Sequence, residues 1–161
     1  MKTALLVIGI VALPLAISER QGEPLKAPDH RLQRLHHFFN KHRSPLRDLA
    51  IELLIAADQN GLDWRLLPSI SIVESGGGKA CRNNNVFGWR SGEQRFPSVT
   101  AGIQHVAERL ANSKIYKGKD IAGKLNAYNP VPGYQLRIEA VMRALEQTEI
   151  ALGNVSGPVV W

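Results

Sequence analysis

The sequence predicts a mostly α-helical protein, and three observations support this fold class. Apolar residues recur at three- and four-residue spacings in several segments, as on the buried face of a helix. The alternation of apolar and polar residues that is typical of a half-buried strand is nearly absent. The chain has 161 residues, 44% of them apolar and 21% charged, which suits one globular domain.

Composition limits the chemistry that the chain can support. A single cysteine, Cys81, excludes an internal disulfide framework and a zinc site made only of thiolates. Four of the five histidines crowd one short segment, at spacings that do not place metal ligands on one helix face. We therefore expect no metal and no cofactor. The net charge of +6 is compatible with an anionic partner, but no helix carries a dense stripe of Lys and Arg, so we expect no nucleic-acid partner.

The N-terminus has the pattern of a secretory signal peptide over residues 1–18. Lys2 is followed by an uncharged apolar run from Ala4 to Ile17, and small residues at Ala16 and Ser18 precede a polar segment. The alternative is a membrane anchor, but the run is shorter than a membrane span and Pro14 interrupts it. We expect an exported, monomeric protein without a membrane span once the signal is removed.

The first two predicted helices lie before residue 61. We assign residues 19–43 to an extended lead-in and a short basic amphipathic helix, whose apolar residues are Leu32, Leu35 and Phe39. Ser44 and Pro45 are typical of the start of a helix, and an apolar face then continues until Gly61 ends it. The main domain is predicted to span residues 44–149.

Three further helices are predicted within that domain. Asp63 is expected to cap one that runs to about Ser75, with Pro68 loosening or kinking it. Ser98 is expected to begin the next, and the last has a periodic apolar face from Tyr134 to Leu145. Residues 150–161 are rich in Gly, Ser and Pro and are predicted to form a loose tail.

Glu74 is the first candidate for chemistry. It shares the apolar stripe of its helix with Leu67, Ile70 and Ser71, and it stands at the helix C-terminus. Apolar walls and the negative end of the helix dipole both disfavour a carboxylate anion, which suits a general acid. The alternative is a helix-end glutamate that reaches solvent.

Two polar, aromatic segments follow Glu74. The first, residues 82–90, combines three amides with Phe87, Gly88 and Trp89; aromatic faces and amides are typical of carbohydrate sites. The second, residues 128–134, places two tyrosines on a turn that contains two prolines. The alternatives are an ordinary turn whose aromatics enter the core, and a connector between helices.

Together these segments resemble the lysozyme-like endo-β-N-acetylglucosaminidases of bacteria, over residues 44 to about 145. The motifs that carry the resemblance are Ser44-Pro45-Leu46, Leu66-Leu67-Pro68, Val73-Glu74-Ser75, Asn84-Asn85-Val86-Phe87-Gly88 and Tyr128-Asn129-Pro130 with Tyr134. The resemblance implies a lysozyme-like helical domain with Glu74 as the catalytic acid and Tyr128 in the cleft. We expect Tyr128 to take part in catalysis by positioning the nucleophile or stabilising the positive charge. The resemblance also implies sugar contacts by Asn84, Asn85, Phe87, Trp89 and Tyr134.

The chain departs from that family in two respects. Family members often carry a β-hairpin lobe with a second carboxylate after Phe-Gly, whereas only residues 89–97 separate Gly88 from the next helix, so this lobe is reduced or absent. Glu93 is the only acid in that loop. The Gly-Leu-Met-Gln-type segment of lytic transglycosylases is also missing.

The resemblance implies an exported hydrolase that cleaves β-1,4 bonds next to N-acetylglucosamine in peptidoglycan. Three alternatives remain at this point: a lytic transglycosylase, a muramidase, and a glycan-binding module without catalytic activity.

Overall fold

The computed structural model describes residues 29–148, which form six α-helices and one 3₁₀ segment. These elements are α1 His30–Lys41, the 3₁₀ segment Pro45–Leu49, α2 Ala50–Gln59, α3 Leu66–Ser75, α4 Val99–Asn112, α5 Ile121–Tyr128 and α6 Tyr134–Glu146. The described part contains no strand, only an isolated bridge between Arg82 and Asn85. The prediction of a mostly α-helical protein is confirmed. The proposed signal peptide (1–18) and tail (150–161) lie outside the described residues.

Helix α3 lies at the centre of the packing. It contacts α6 and α2, while α4 packs on α2 and α5 packs on α6. The first six residues of α3 are all buried, and its mid-helix Ile70 is completely inaccessible. Helix α1 joins the same core through Leu35, Phe38 and Phe39. None of the helices in the range 29–148 is long and apolar enough to cross a membrane.

The sequence predicted one continuous α-helix after Ser44, but the structure shows two consecutive elements. The first is the 3₁₀ segment, in which the Arg47 amide bonds to the Ser44 carbonyl, and the chain becomes α-helical only at Ala50. The Ser44 hydroxyl accepts a hydrogen bond from the Leu46 amide and donates one of 2.6 Å to the Gly77 carbonyl. The cap that starts this segment therefore also holds the end of α3.

Helix α3 begins later than the sequence predicted. The carboxylate of Asp63 accepts from the Arg65 amide in a preceding turn, and the helix starts at Leu66. Pro68 consequently lies in the first turn, where backbone amides have no partner within the helix. Residues Leu66–Ser75 are helical without interruption around it.

The remaining helices divide into predicted and unpredicted ones. Ser98 caps α4, because its hydroxyl accepts from the Ala101 amide, and α6 begins at Tyr134 as expected. Helix α5 was not predicted. Asp120 caps it by accepting from the Gly123 amide, but Leu125 is its only buried residue, so its sequence shows little apolar periodicity.

Candidate active site

Glu74 is the second-to-last residue of α3 and is half-buried. The helix ends at Gly76, which has a left-handed φ of 63° and whose amide bonds to the Ile72 carbonyl. The carboxylate of Glu74 meets two groups from distant parts of the chain: the hydroxyl of Tyr134 and the backbone of Gly88. The fold thus encloses this carboxylate instead of leaving it in solvent.

Tyr134, the first residue of α6, holds one oxygen of that carboxylate. Its hydroxyl donates a 2.8 Å hydrogen bond to Oε1 of Glu74, and its side chain is only 1% exposed. Burial raises the pKa of Tyr134 above its ordinary value, and the hydrogen bond to Glu74 and the charge of Glu74 raise it further. The phenol therefore remains a donor across the neutral range. The sequence predicted that Tyr134 binds sugar. In the structure its hydroxyl contacts the carboxylate of Glu74.

Gly88 meets the other oxygen. A Cβ atom at this position would lie 2.5 Å from Oε2 of Glu74, so the carboxylate would have to move to accommodate it. Its φ of 62° is also left-handed, a conformation that glycine adopts without strain. Both features favour glycine at position 88, where the carboxylate packs against the backbone.

Ser75 fastens the end of α3 to the turn that carries Gly88. Its buried hydroxyl lies 2.7 Å from the Val86 carbonyl oxygen and accepts a 2.9 Å hydrogen bond from the Gly78 amide. These two hydrogen bonds give the serine directly after Glu74 a structural role. It fixes the distance between the carboxylate and the 86–88 turn.

The two amides predicted to bind sugars hold the loop that follows Gly88. Asn85 is 5% exposed; its Nδ2 donates to the carbonyls of Trp89 and Gln94, and its Oδ1 accepts from the Trp89 amide. Asn84 donates through Nδ2 to the carbonyls of Phe96 and Pro97, at 2.9 and 3.2 Å. Both amides therefore act on loop shape in this structure.

A row of aromatic rings leads away from Glu74. Tyr134 stacks on Tyr128 almost in parallel, and Tyr128 contacts Trp89 at a centroid distance of 5.5 Å. The Tyr128 hydroxyl donates to the Phe87 carbonyl. Burial, followed by the charges of Glu74 and Tyr116, raises the pKa of Tyr128 well above its ordinary value. The ring of Phe87 is fully buried in the core, so only its backbone reaches this row.

A cleft of about 520 Å³ opens along this row. Gly88, Trp89 and Tyr128 form the part of its wall next to Glu74, which does not itself line the cleft. The rest of the wall combines the apolar Ile115 and the ring of Tyr116 with polar and basic residues, which are Arg90, Ser91, Gln94, His105 and Arg109. Glu93 is exposed on the same loop but does not line the cleft.

Sequence reasoning missed the wall that α4 contributes. His105 and Arg109 are four residues apart, which places them on one face of that helix, and the ring of His105 meets the Trp89 ring edge-on. Their spacing was visible in the sequence. Nothing in the sequence showed that this exposed face of α4 would stand opposite the 89–97 loop.

The buried tyrosines predict a loss of stability at high pH. The pKa of Tyr134 is raised in the folded state. Its contribution to the free energy of unfolding is therefore complete below the pKa of the tyrosine in the unfolded chain, about 10. It is lost as the pH rises through that value towards the folded-state pKa, since ionisation then favours unfolding. We expect the free energy of unfolding to fall less between pH 9 and pH 11 in Tyr134→Phe than in the wild type. Urea unfolding at each pH measures this, and an equal fall in both proteins would contradict it.

A comparison of the chain with protein-family models, with curated proteins and with solved structures gives no match.

Proposed function

We propose that the protein is a lysozyme-like glycoside hydrolase that cleaves β-1,4 bonds next to N-acetylglucosamine in peptidoglycan. The observation that carries this proposal is the setting of Glu74. A half-buried carboxyl group is held between the Tyr134 hydroxyl and the Gly88 backbone, next to a cleft whose wall includes Trp89 and Tyr128. A positioned carboxyl group beside an aromatic cleft is what glycosidic bond cleavage requires.

Glu74 acts as the general acid in this proposal. Oε1 already accepts a hydrogen bond from Tyr134, so the transferable proton belongs on Oε2, the oxygen that faces Gly88. Gly88 lines the cleft, so Oε2 is the carboxylate oxygen that lies against a cleft residue. Protonation of that oxygen releases the leaving sugar and leaves positive charge on the anomeric carbon.

Tyr128 has a defined part in the second half of the reaction. Its hydroxyl proton is donated to the Phe87 carbonyl, so the phenol oxygen can act towards the cleft only as an acceptor. It would accept a hydrogen bond from the attacking water or stabilise the positive anomeric carbon. Since no carboxylate lines the described cleft, the nucleophile in this proposal is water or the acetamido oxygen of the substrate.

Sugar binding falls mainly to Trp89, whose half-buried ring lines the cleft and presents an apolar surface to the CH face of a sugar. Asn84 and Asn85 shape the loop that presents this ring, and Tyr134 positions Glu74. Export, action as a monomer and peptidoglycan as the substrate complete the proposal. The net charge of +6 would assist association with an anionic wall polymer, chiefly at low salt.

Product analysis tests the proposal against its nearest alternatives. The loop over residues 89–97 is short and contains no strand, so water has access to the reaction centre and hydrolysis should prevail. Purified peptidoglycan is digested, half of the digest is reduced with borohydride, and the fragments are identified by mass spectrometry. We expect reduced N-acetylglucosamine ends.

Each alternative gives a different product. Reduced N-acetylmuramic acid ends would make the protein a muramidase, and 1,6-anhydro rings would make it a lytic transglycosylase. Glycan binding without any new ends would make it a binding module. Any of these outcomes, as the main result, contradicts the proposed glucosaminidase activity.

A further inference from the structure

Part of the cleft wall is cationic. Arg90 from the loop and Arg109 from α4 both line the cleft, together with the imidazole of His105, and no acidic residue lines it. In the part of the chain that the structure describes, neither arginine forms an ion pair or donates a side-chain hydrogen bond to the protein. Two arginines with free donors therefore face one cavity.

The loop supports Arg90 in a strained conformation. Arg90 and Ser91 have φ values of 52° and 58°, a left-handed region that non-glycine residues rarely adopt. The bond of 2.9 Å from the Gly92 amide to the Gly88 carbonyl closes the turn, and the buried amide of Asn85 holds it at Trp89. Such strain persists only where surrounding contacts enforce it, and it is common at ligand sites.

Trp89 links this basic wall to the sugar-binding surface. Its ring contacts the rings of Tyr128 and His105, at centroid distances of 5.5 and 6.1 Å. A sugar stacked on Trp89 would therefore occupy the same cleft that Arg90 and Arg109 line. A substituent on the neighbouring sugar would point into the basic part of the cleft.

We propose that Arg90 and Arg109 bind a carboxylate carried by the glycan beside the bond that is cleaved. This inference rests on the proposed glycosidase function and specifies its substrate as an acidic glycan. Guanidinium groups match a carboxylate through paired hydrogen bonds, and His105 adds a further donor. In peptidoglycan that carboxylate belongs to the lactyl ether of muramic acid or to the peptide attached to it. A chitin oligosaccharide has neither.

The test compares binding of three ligands in the Glu74→Gln background, where they are not consumed. The ligands are neutral chitooligosaccharides, peptide-free glycan strands with free lactyl carboxylates, and strands that keep their peptides. Isothermal titration calorimetry gives each dissociation constant for the parent, for Arg90→Gln and for Arg109→Gln. The matched control is Arg143→Gln, which removes the same charge from an exposed site on α6 that does not line the cleft.

The parent should bind a carboxylated ligand more tightly than the neutral one. Each cleft variant should reduce that preference about tenfold, which is the usual worth of one hydrogen bond to a charged group, and Arg143→Gln should leave it unchanged. A reduced preference on peptide-free strands assigns the site to the lactyl carboxylate, and one confined to peptide-bearing strands assigns it to the peptide.

Equal losses for neutral and carboxylated ligands, or no loss for either, would overturn the anion site. The proposed hydrolysis is judged separately, by turnover of purified peptidoglycan in the wild-type protein. Failure of turnover with an intact charge preference would reject the glycosidase and leave the anion site standing.

Discussion

Replacing Glu74 with glutamine is expected to lower turnover of peptidoglycan by a factor between about 10² and 10⁴, the usual contribution of a general acid. The amide keeps the shape of the side chain and can still accept the hydrogen bond from Tyr134 through its oxygen. It has no proton to give to a leaving glycosidic oxygen. Binding of glycan strands should therefore remain close to that of the wild type.

Zymography on a cell-wall gel measures the loss of turnover. Calorimetry with soluble glycan strands measures the binding. The matched control is Glu108→Gln, which makes the same change at an exposed residue of α4 that does not line the cleft. It should clear the gel like the wild type. If Glu74→Gln also clears the gel, or if it loses binding together with turnover, Glu74 is not the catalytic acid.

The sequence predicted the helical frame because local signals decide it. Ser98 and the apolar period after it were sufficient to place α4, and Ser44 was correctly recognised as a cap. The inward position of Glu74 followed from its spacing to Ile70 and Ser71, which are buried beside it. Local signals could not show that α3 starts only at Leu66. Pro68 therefore lies in the first turn of α3, where a proline is tolerated.

The parts of the site that the sequence could not place depend on contacts across the chain. An asparagine that binds a sugar and one that binds a backbone carbonyl look alike in sequence. The structure shows that Asn85 closes the loop through Trp89 and Gln94, because the loop returns on itself there. The hydroxyl of Tyr134 reaches Glu74 across 60 residues of chain. That pairing exists only once α3 and α6 pack together.

The loop itself offers the sharpest test of how closely the carboxylate is held. Gly88 and Gly92 both have left-handed φ values, of 62° and 81°, so alanine strains the backbone at either position by about 1 kcal/mol. They differ in their surroundings. A Cβ at Gly88 would lie 2.5 Å from Oε2 of Glu74 and 3.2 Å from its Cδ, whereas a Cβ at Gly92 would meet nothing within 4 Å.

Gly88→Ala should therefore lower turnover by about 10²-fold, the cost of moving a catalytic group by roughly 1 Å, while Gly92→Ala should stay within about twofold of the wild type. Zymography and release of reducing ends measure the turnover, and urea unfolding shows whether the two variants lose similar stability. With stability matched, the difference in turnover isolates the displacement of Glu74 from backbone strain. Equal activity of the two variants would mean that the contact between Gly88 and Glu74 does not position the acid, because the only feature that separates them would then have no effect on the reaction.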